Sequence, residues 1–529
     1  MRSEPEHNTS DLIVETEPWG PDPAALEAVS CALLEHPRLQ EYLADTRHRL
    51  LAFDLIDREQ KTTTPRPPGR YHATIYDYTN NRTLFAEGCL DEPDLVVVTE
   101  SAAQPLPSDE EFDAAVNLLL EDPDLGPRLR QQQLQVYRPM PPLIEVEAPD
   151  GRIERTLAVG LFSDDAGHQI VGVNLINNSV LHDLHDIPLP NGDVCGPPAA
   201  GGCADSGPTQ QLRLKVTQGS NVLWTFTVVR PSASSGTNGS GIELRYVNYR
   251  GKQVLYRAHV PILNIEYSTA GVQAGCGPTY RDWQNQENCF EAVGSDFAPG
   301  FRLCTAPPKT ILDSNSDAGN FHGVAIYVAG QEVVLVSEMA AGWYRYISEW
   351  RLHTNGTIRP RFGFAAVNNP CTCKSHHHHA YWRFDFDIRT AGRNLVEEYN
   401  NPPLFTGMNW HRKIYEIRRP RDSQRKRKWR ISNTSTGEGY ELIPGANDGA
   451  ADSYGVGDVW VLRYHATEID DGQGFTTDPT KSKAQLDRFI NGELVENQDV
   501  VVWYAGHFLH DAQHAGSHII GPELKPVNW

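Results

Sequence analysis

Hydrophobic and polar positions recur along this chain with two different periods, and the change from one to the other divides it. In residues 22–50, "DPAALEAVSCALLEHPRLQEYLADTRHRL", apolar side chains fall three and four apart, which predicts amphipathic helix. The next segments, "RLLAFDLIDRE", "RYHATIYDYTNNRTLFAEGCL" and "DLVVVTES", are strand-like, with "TNNRT" as a turn. The pattern then restarts. "SDEEFDAAVNLLLEDPDLGPRL" is helical, with Ser108 and Glu111 at capping-box spacing, and strands follow in "RTLAVGLFSDDAGHQIVGVNLINNSVL". Two helix-then-strand units predict two small α+β domains, over 15–102 and 103–190.

The Gly/Pro-rich stretch "PLPNGDVCGPPAAGGCADSGPTQ" predicts a linker. Beyond it, over 205–529, helical periodicity gives way to short strands with turn punctuation, among them "LRLKVTQGSNVLWTFTVVRP", "WYRYISEWRLHTNGTIRPRFGFA" and "DVVVWYAGHFLH". This predicts a large antiparallel β-sandwich, and an α+β chain overall. The basic run "RRPRDSQRKRKWR", 418–430, is flanked by strand-like sequence and is expected to be a solvated hairpin.

Charge narrows the function classes. A net charge of −21 excludes a general nucleic-acid footprint. No apolar run approaches the length of a membrane helix, and "MRSEPEHNTSDLIVETEPWG" lacks a signal-peptide apolar core, so a cytoplasmic protein is expected. Nine cysteines are too few for a disulfide scaffold at this length. Cys195 with Cys203, and Cys276 with Cys289, could pair in an oxidising compartment. The C-x-C of Cys371 and Cys373 hints at zinc, but the repeated C-x2-C of a structural zinc site is missing.

Candidate chemistry centres on "SHHHHAYWRFDFDI", 375–388, an internal histidine run leading into a strand. Strand side chains alternate, so His376 and His378 share one face and His377 and His379 the other. Either pair could aim two imidazoles at one metal. A second group, His507, His510, His514 and His518, follows the strand-like "DVVVWY".

At this point the sequence resembles the copper-containing, quinone-cofactor amine oxidases. "VLYRAHVPILNIEY", "WRISN" with "GEGYELIPG" (429–445) and "NQDVVVWYAGHFLH" are similar to that family's motifs, and the domain plan matches. The family's H-x-H precedes an arginine by five residues, with D-x-D beyond. Arg383 and Asp385 set that register, so the resemblance implies copper ligands His376 and His378, with His510 as the third. It also implies a calcium-like structural ion held by Asp385, Asp387 and Asp499, with carbonyls from Phe386 and Val500. Copper suits three imidazoles, as zinc also does.

The family oxidises a tyrosine in T-x-x-N-Y-D/E-Y to topaquinone. Here "SEMAAGWYRYISEW" puts Tyr344 at the precursor position and Tyr346 at the next tyrosine, with Trp343 replacing the asparagine and Arg345 the acid. Arg345 would hold either an anionic substrate group or an ion pair. Tyr267 resembles the family's quinone-contacting tyrosine. The D-x-G-x-x-G motif of the catalytic base is absent, which leaves Asp282 and Glu287 as alternatives.

The resemblance thus implies a homodimeric copper enzyme acting on a small molecule and O2, converting a primary amine to aldehyde, ammonia and peroxide. A quinone-free copper oxidase or oxygenase with unmodified Tyr344, and a non-catalytic copper-binding relative, are the alternatives.

Overall fold

The computed structural model describes residues 11–56, 61, 64–139, 142–147, 151–163, 167–182, 195–200, 202–203, 207, 209–268, 276–476, 478–510 and 518–529. The first helical stretch is broken by Pro37, which cannot continue a helix's hydrogen bonding. It forms two helices, Pro23–Leu34 and Pro37–Leu43, and its last three residues already belong to the strand His48–Ile56. That strand and Arg70–Asp77, Arg82–Cys89 and Val96–Ser101 make a four-stranded sheet in chain order. Leu33, Leu39 and Leu43 of the helices close its core with Tyr71, Ile75 and Leu84.

The second unit repeats the plan. Ser108 Oγ accepts the Glu111 N–H at 3.3 Å and Glu111 Oε2 accepts the Ser108 N–H at 3.2 Å, the expected capping box at the head of Asp109–Glu121. The same carboxylate accepts from Arg155 at 2.9 and 2.5 Å, which fixes the helix to its sheet.

The remaining chain builds two large sheets, of ten and twelve strands, that pack face to face over one apolar core. The first described strand, Leu12–Glu17, pairs with Gln211–Gln218 at the edge of the ten-stranded sheet. Four strands position the site: β1 (Lys252–Glu266), β2 (Tyr344–His353), β3 (His376–Phe386) and β4 (Val500–His510). In the ten-stranded sheet β3 lies between β1 and β4; β2 belongs to the twelve-stranded sheet. Even-numbered β3 and β4 residues (Ala380, Trp382, Phe384, Val502, Tyr504) enter the sandwich core, while odd-numbered Tyr381, Val501 and Trp503 pack outward under Leu486 and Phe489.

The basic run is not a hairpin. Ile417–Arg419 pairs with Val459–Arg463 in the ten-stranded sheet, whereas Lys428–Asn433 lies in the twelve-stranded one. The run crosses between sheets, and several of its cations are paired: Arg419 with Glu398 at 2.7 Å, Arg421 with Asp458 at 3.1 Å, Arg430 with Glu397 at 2.5 Å. Among the described residues no helix is long and apolar enough to cross a membrane.

Candidate copper site and carboxylate cradle

The β3–β4 ladder places His376 opposite His510 and His378 opposite Phe508. Alternation turns His376 and His378 inward together, and one ring nitrogen from each of His376, His378 and His510 lies within 4.8 Å of the others. His376 Nδ1 hydrogen-bonds the Lys374 carbonyl. A carbonyl only accepts, so Nδ1 carries the proton and Nε2 presents its lone pair. That Nε2 faces His378 Nε2 at 3.0 Å, and His378 Nδ1 is buried without a hydrogen-bond partner. Burial, with the neighbouring imidazoles, pushes His376 down to about 3 and His378 well below the usual histidine range. Converging neutral imidazoles are what a Cu(II) or Zn(II) ion requires, and the donor set fits copper. His377 and His379 face outward: His379 Nδ1 is 2.9 Å from His507 Nδ1, and His377 lies beside Glu266 and Asp452.

Tyr344 begins β2 and reaches across the sandwich to the histidines. Its hydroxyl is 2.5 Å from His376 Nε2 and accepts from the Tyr267 hydroxyl at 2.7 Å. Trp343 Nε1 donates to that Tyr267 oxygen at 2.9 Å. The indole that replaces the asparagine is therefore the head of a hydrogen-bonded chain, Trp343 to Tyr267 to Tyr344 to His376. Burial raises the Tyr344 phenol well above its ordinary pKa. Arg345 points to the opposite face of β2, where Asp317 accepts from it at 2.5 and 2.9 Å. Of its two readings, the ion pair is the one formed.

The two candidate bases occupy different environments. Tyr346, stacked on Tyr344 with ring centroids 5.6 Å apart, donates to Asp282 Oδ2. Asp282 is 1% exposed, its Oδ1 has no hydrogen-bond partner, and burial pushes it up to about 8. Glu287 accepts from Arg230 Nε at 2.8 Å, with a second, shorter bond from Nη2, and lies 3.2 Å from His322. Burial opposes its ionisation, but Arg230 and His322 outweigh that and draw it down to about 2. Glu287 is a structural anion; Asp282 adjoins the tyrosines.

Disulfides frame the site in pairings that differ from the expected ones. Cys195 joins Cys373, Cys276 joins Cys371 and Cys203 joins Cys289. The two cysteines of C-x-C are anchored to different distant partners, so they form no zinc site, and they fix the turn Pro370–Cys373 that feeds into β3. The segment expected to be a linker is stapled to the sandwich. Three disulfides are bonds that persist in an oxidising compartment.

At the other end of β3, on its outward face, Asp385, Asp387 and Asp499 converge as expected. Among them lies the Lys61 ammonium, bonded to one Oδ1 of each: Asp387 at 2.8 Å, Asp499 at 2.6 Å and Asp385 more closely still. Phe386 and Val500, expected to lend carbonyls, are ladder partners, and the Phe386 carbonyl accepts Asn394 Nδ2 at 3.3 Å. With the ammonium in place, the cradle as it stands does not fit a free calcium ion.

Residues 359–515, which carry both ligand groups apart from Lys61, match the family model for the copper amine oxidase enzyme domain. No curated protein matches the sequence. The fold is similar to that of a copper-containing benzylamine oxidase from Hansenula polymorpha (TM-score 0.60, 13% identity, 96% of this chain and 97% of that one). It is also similar to an amine oxidase from Aspergillus nidulans (0.57, 14%, 96% and 88%) and a lysyl oxidase from Pichia pastoris (0.56, 12%, 97% and 90%). Residues 359–515 are thus similar to the enzyme domain of copper amine oxidases, within a chain whose fold is similar to that of such enzymes over 96% of its length.

Proposed function

We propose that this protein uses copper held by His376, His378 and His510 to oxidise a small primary amine with O2 and water, releasing aldehyde, ammonia and peroxide. The observation that carries the proposal is the Tyr344 hydroxyl 2.5 Å from His376 Nε2. It puts an oxidisable ring against a histidine that would hold the metal, at the position the family converts to topaquinone. A bound copper ion supplies the redox chemistry that activates O2. The chain's own residues do the rest. Tyr267 orients the Tyr344 ring through its 2.7 Å hydrogen bond. Asp282, beside Tyr346, takes a proton from the bound substrate, a task suited to a carboxylate titrating near neutrality. Similar structures that act on benzylamine and on lysyl groups support an amine as the substrate class.

A second reading is favoured by one observation: Trp343 pins the Tyr267–Tyr344 pair from behind, and Tyr344 is only 1% exposed. A ring so held suits a quinone-free copper oxidase in which Tyr344 stays a phenol and only orients His376. Mass spectrometry of the Tyr344 peptide after copper and O2 exposure separates the two. The amine-oxidase reading expects the side chain to gain two oxygen atoms and lose two hydrogens, and to become reactive to phenylhydrazine. An unmodified peptide from copper-replete, active protein selects the quinone-free reading.

A further inference from the structure

We propose that the Lys61 ammonium is the resident cation of the three-aspartate cradle, and that this protein has no calcium ion there. An ammonium has three N–H donors, and each meets one carboxylate: Asp385, Asp387 and Asp499 contribute one Oδ1 apiece. The remaining surroundings suit an ammonium and not a hard divalent ion. The Tyr464 ring centroid is 4.0 Å from Nζ and that of Tyr256 is 5.2 Å away, so ring faces cover directions in which calcium would need oxygen. Calcium takes six to eight oxygen ligands, and aromatic faces offer none.

Two of the cradle's second oxygens face other groups of the chain, one by a hydrogen bond and one, Asp385 Oδ2, by charge alone. Asp387 Oδ2 accepts from Gln253 Nε2 at 3.0 Å, and Arg383 Nη1 lies 3.7 Å from Asp385 Oδ2. Lys61 and Arg383 together bring two positive charges to the three carboxylates, the charge a calcium ion would bring. The Lys61 side chain is 6% exposed, which leaves little access for solvent or a competing ion.

The substitution changes what the cradle connects. Lys61 lies between the strands His48–Ile56 and Arg70–Asp77 of the first small domain, while the aspartates belong to the sandwich. A free ion would link only β3 to β4. The tethered ammonium also clasps the small domain to the catalytic one.

The test uses the full, copper-loaded chain dialysed into calcium-free buffer and titrated with calcium to about 1 mM, the range of weak extracellular sites. The wild-type protein is expected to take up no stoichiometric calcium and to unfold at the same temperature throughout. Lys61→Ala is expected to unfold at a lower temperature and, because the aromatic faces remain, to regain little of that stability with calcium. Wild-type protein that binds one calcium per chain with a rise in unfolding temperature overturns the proposal. So does a Lys61→Ala protein with wild-type stability. A measurement on the native chain covers a variant that fails to fold: Lys61 should resist acetic anhydride equally with and without calcium, and acetylation that appears only with calcium would show the ammonium displaced.

Discussion

The Tyr346 hydroxyl donates to Asp282 Oδ2 at 2.5 Å, one stacked ring away from Tyr344. Asp282 must be ionised to act as a base, and burial pushes it up to about 8. Activity, measured as kcat/KM, should therefore climb with pH through about 8. Asp282→Asn should abolish that limb and cost about 10²- to 10⁴-fold in kcat with copper content unchanged. The stability sign is opposite. Because the folded-state value lies above the ordinary 3.8, the unfolded chain ionises first, and folding loses free energy as pH rises from about 4 to about 8. Unfolding temperatures of Asp282→Asn across that range should lack this decline.

Glu287 behaves in the reverse sense. Its folded-state pKa is drawn down to about 2, so its contribution to stability is present above its ordinary 4.5 and is lost as pH falls toward 2. Glu287→Gln leaves the buried Arg230 without its anion and should cost about 3–5 kcal/mol in denaturant unfolding. The pH limb near 8 should survive in the folded variant. Its disappearance would transfer the base role from Asp282 to Glu287.

Strand alternation makes the metal prediction specific. Alanine at His376, His378 or His510 should reduce copper to well below one per chain by elemental analysis. His377→Ala and His379→Ala should retain it, since both side chains lie on the outer face of β3. Equal copper loss in His377→Ala and His376→Ala would mean the register is wrong.

Arg345 and Asp317 form a buried ion pair, with side chains 8% and 1% exposed. Arg345→Met should destabilise the protein by about 3–5 kcal/mol because Asp317 remains as an uncompensated buried charge. The double variant Arg345→Met/Asp317→Leu should recover much of that loss. If Arg345 served substrate binding, the single variant would instead raise KM at unchanged stability.

The cystines at Cys371 and Cys373 hold the turn before His376. Replacing Cys276 and Cys371 together with serine should cost about 2–5 kcal/mol of stability. Copper affinity, followed by competition with a chelator, should weaken as well, because the first ligand loses its anchored approach.

The convergence of His376 and His378 was legible because strand geometry is local: a period of two sorts four consecutive histidines into two faces, and the family resemblance, through Arg383, points to this pair. The helices and strands of the first 180 residues were legible for a similar reason, down to the Ser108 cap. What the sequence hid depends on partners brought together by the fold. Lys61 lies more than three hundred positions from the aspartates it bonds, with no motif around it. Asp317 gives Arg345 its role, and Tyr267 gives Trp343 its own, yet neither pair is adjacent in the chain. Cysteine partners were equally hidden, since spacing alone cannot assign connectivity. Nor did the sequence show that Arg230 neutralises Glu287 while burial raises Asp282.

The alternation of β3 has an evolutionary corollary. Its even-numbered histidines face inward, and odd-numbered Asp385, with Asp387 just beyond the strand, faces Lys61 outward, so one frame of reference serves both ends of the strand. Inserting or deleting a single residue between His378 and Asp385 would rotate one end against the other. The histidines would keep their inward face only if the aspartates turned into the apolar core, or the reverse. Viable length changes in this strand are therefore confined to even steps, or to bulges that absorb the extra residue. Single substitutions in the tyrosine motif leave this alternation untouched, but the stretch between the two charge-bearing ends can change length only in pairs.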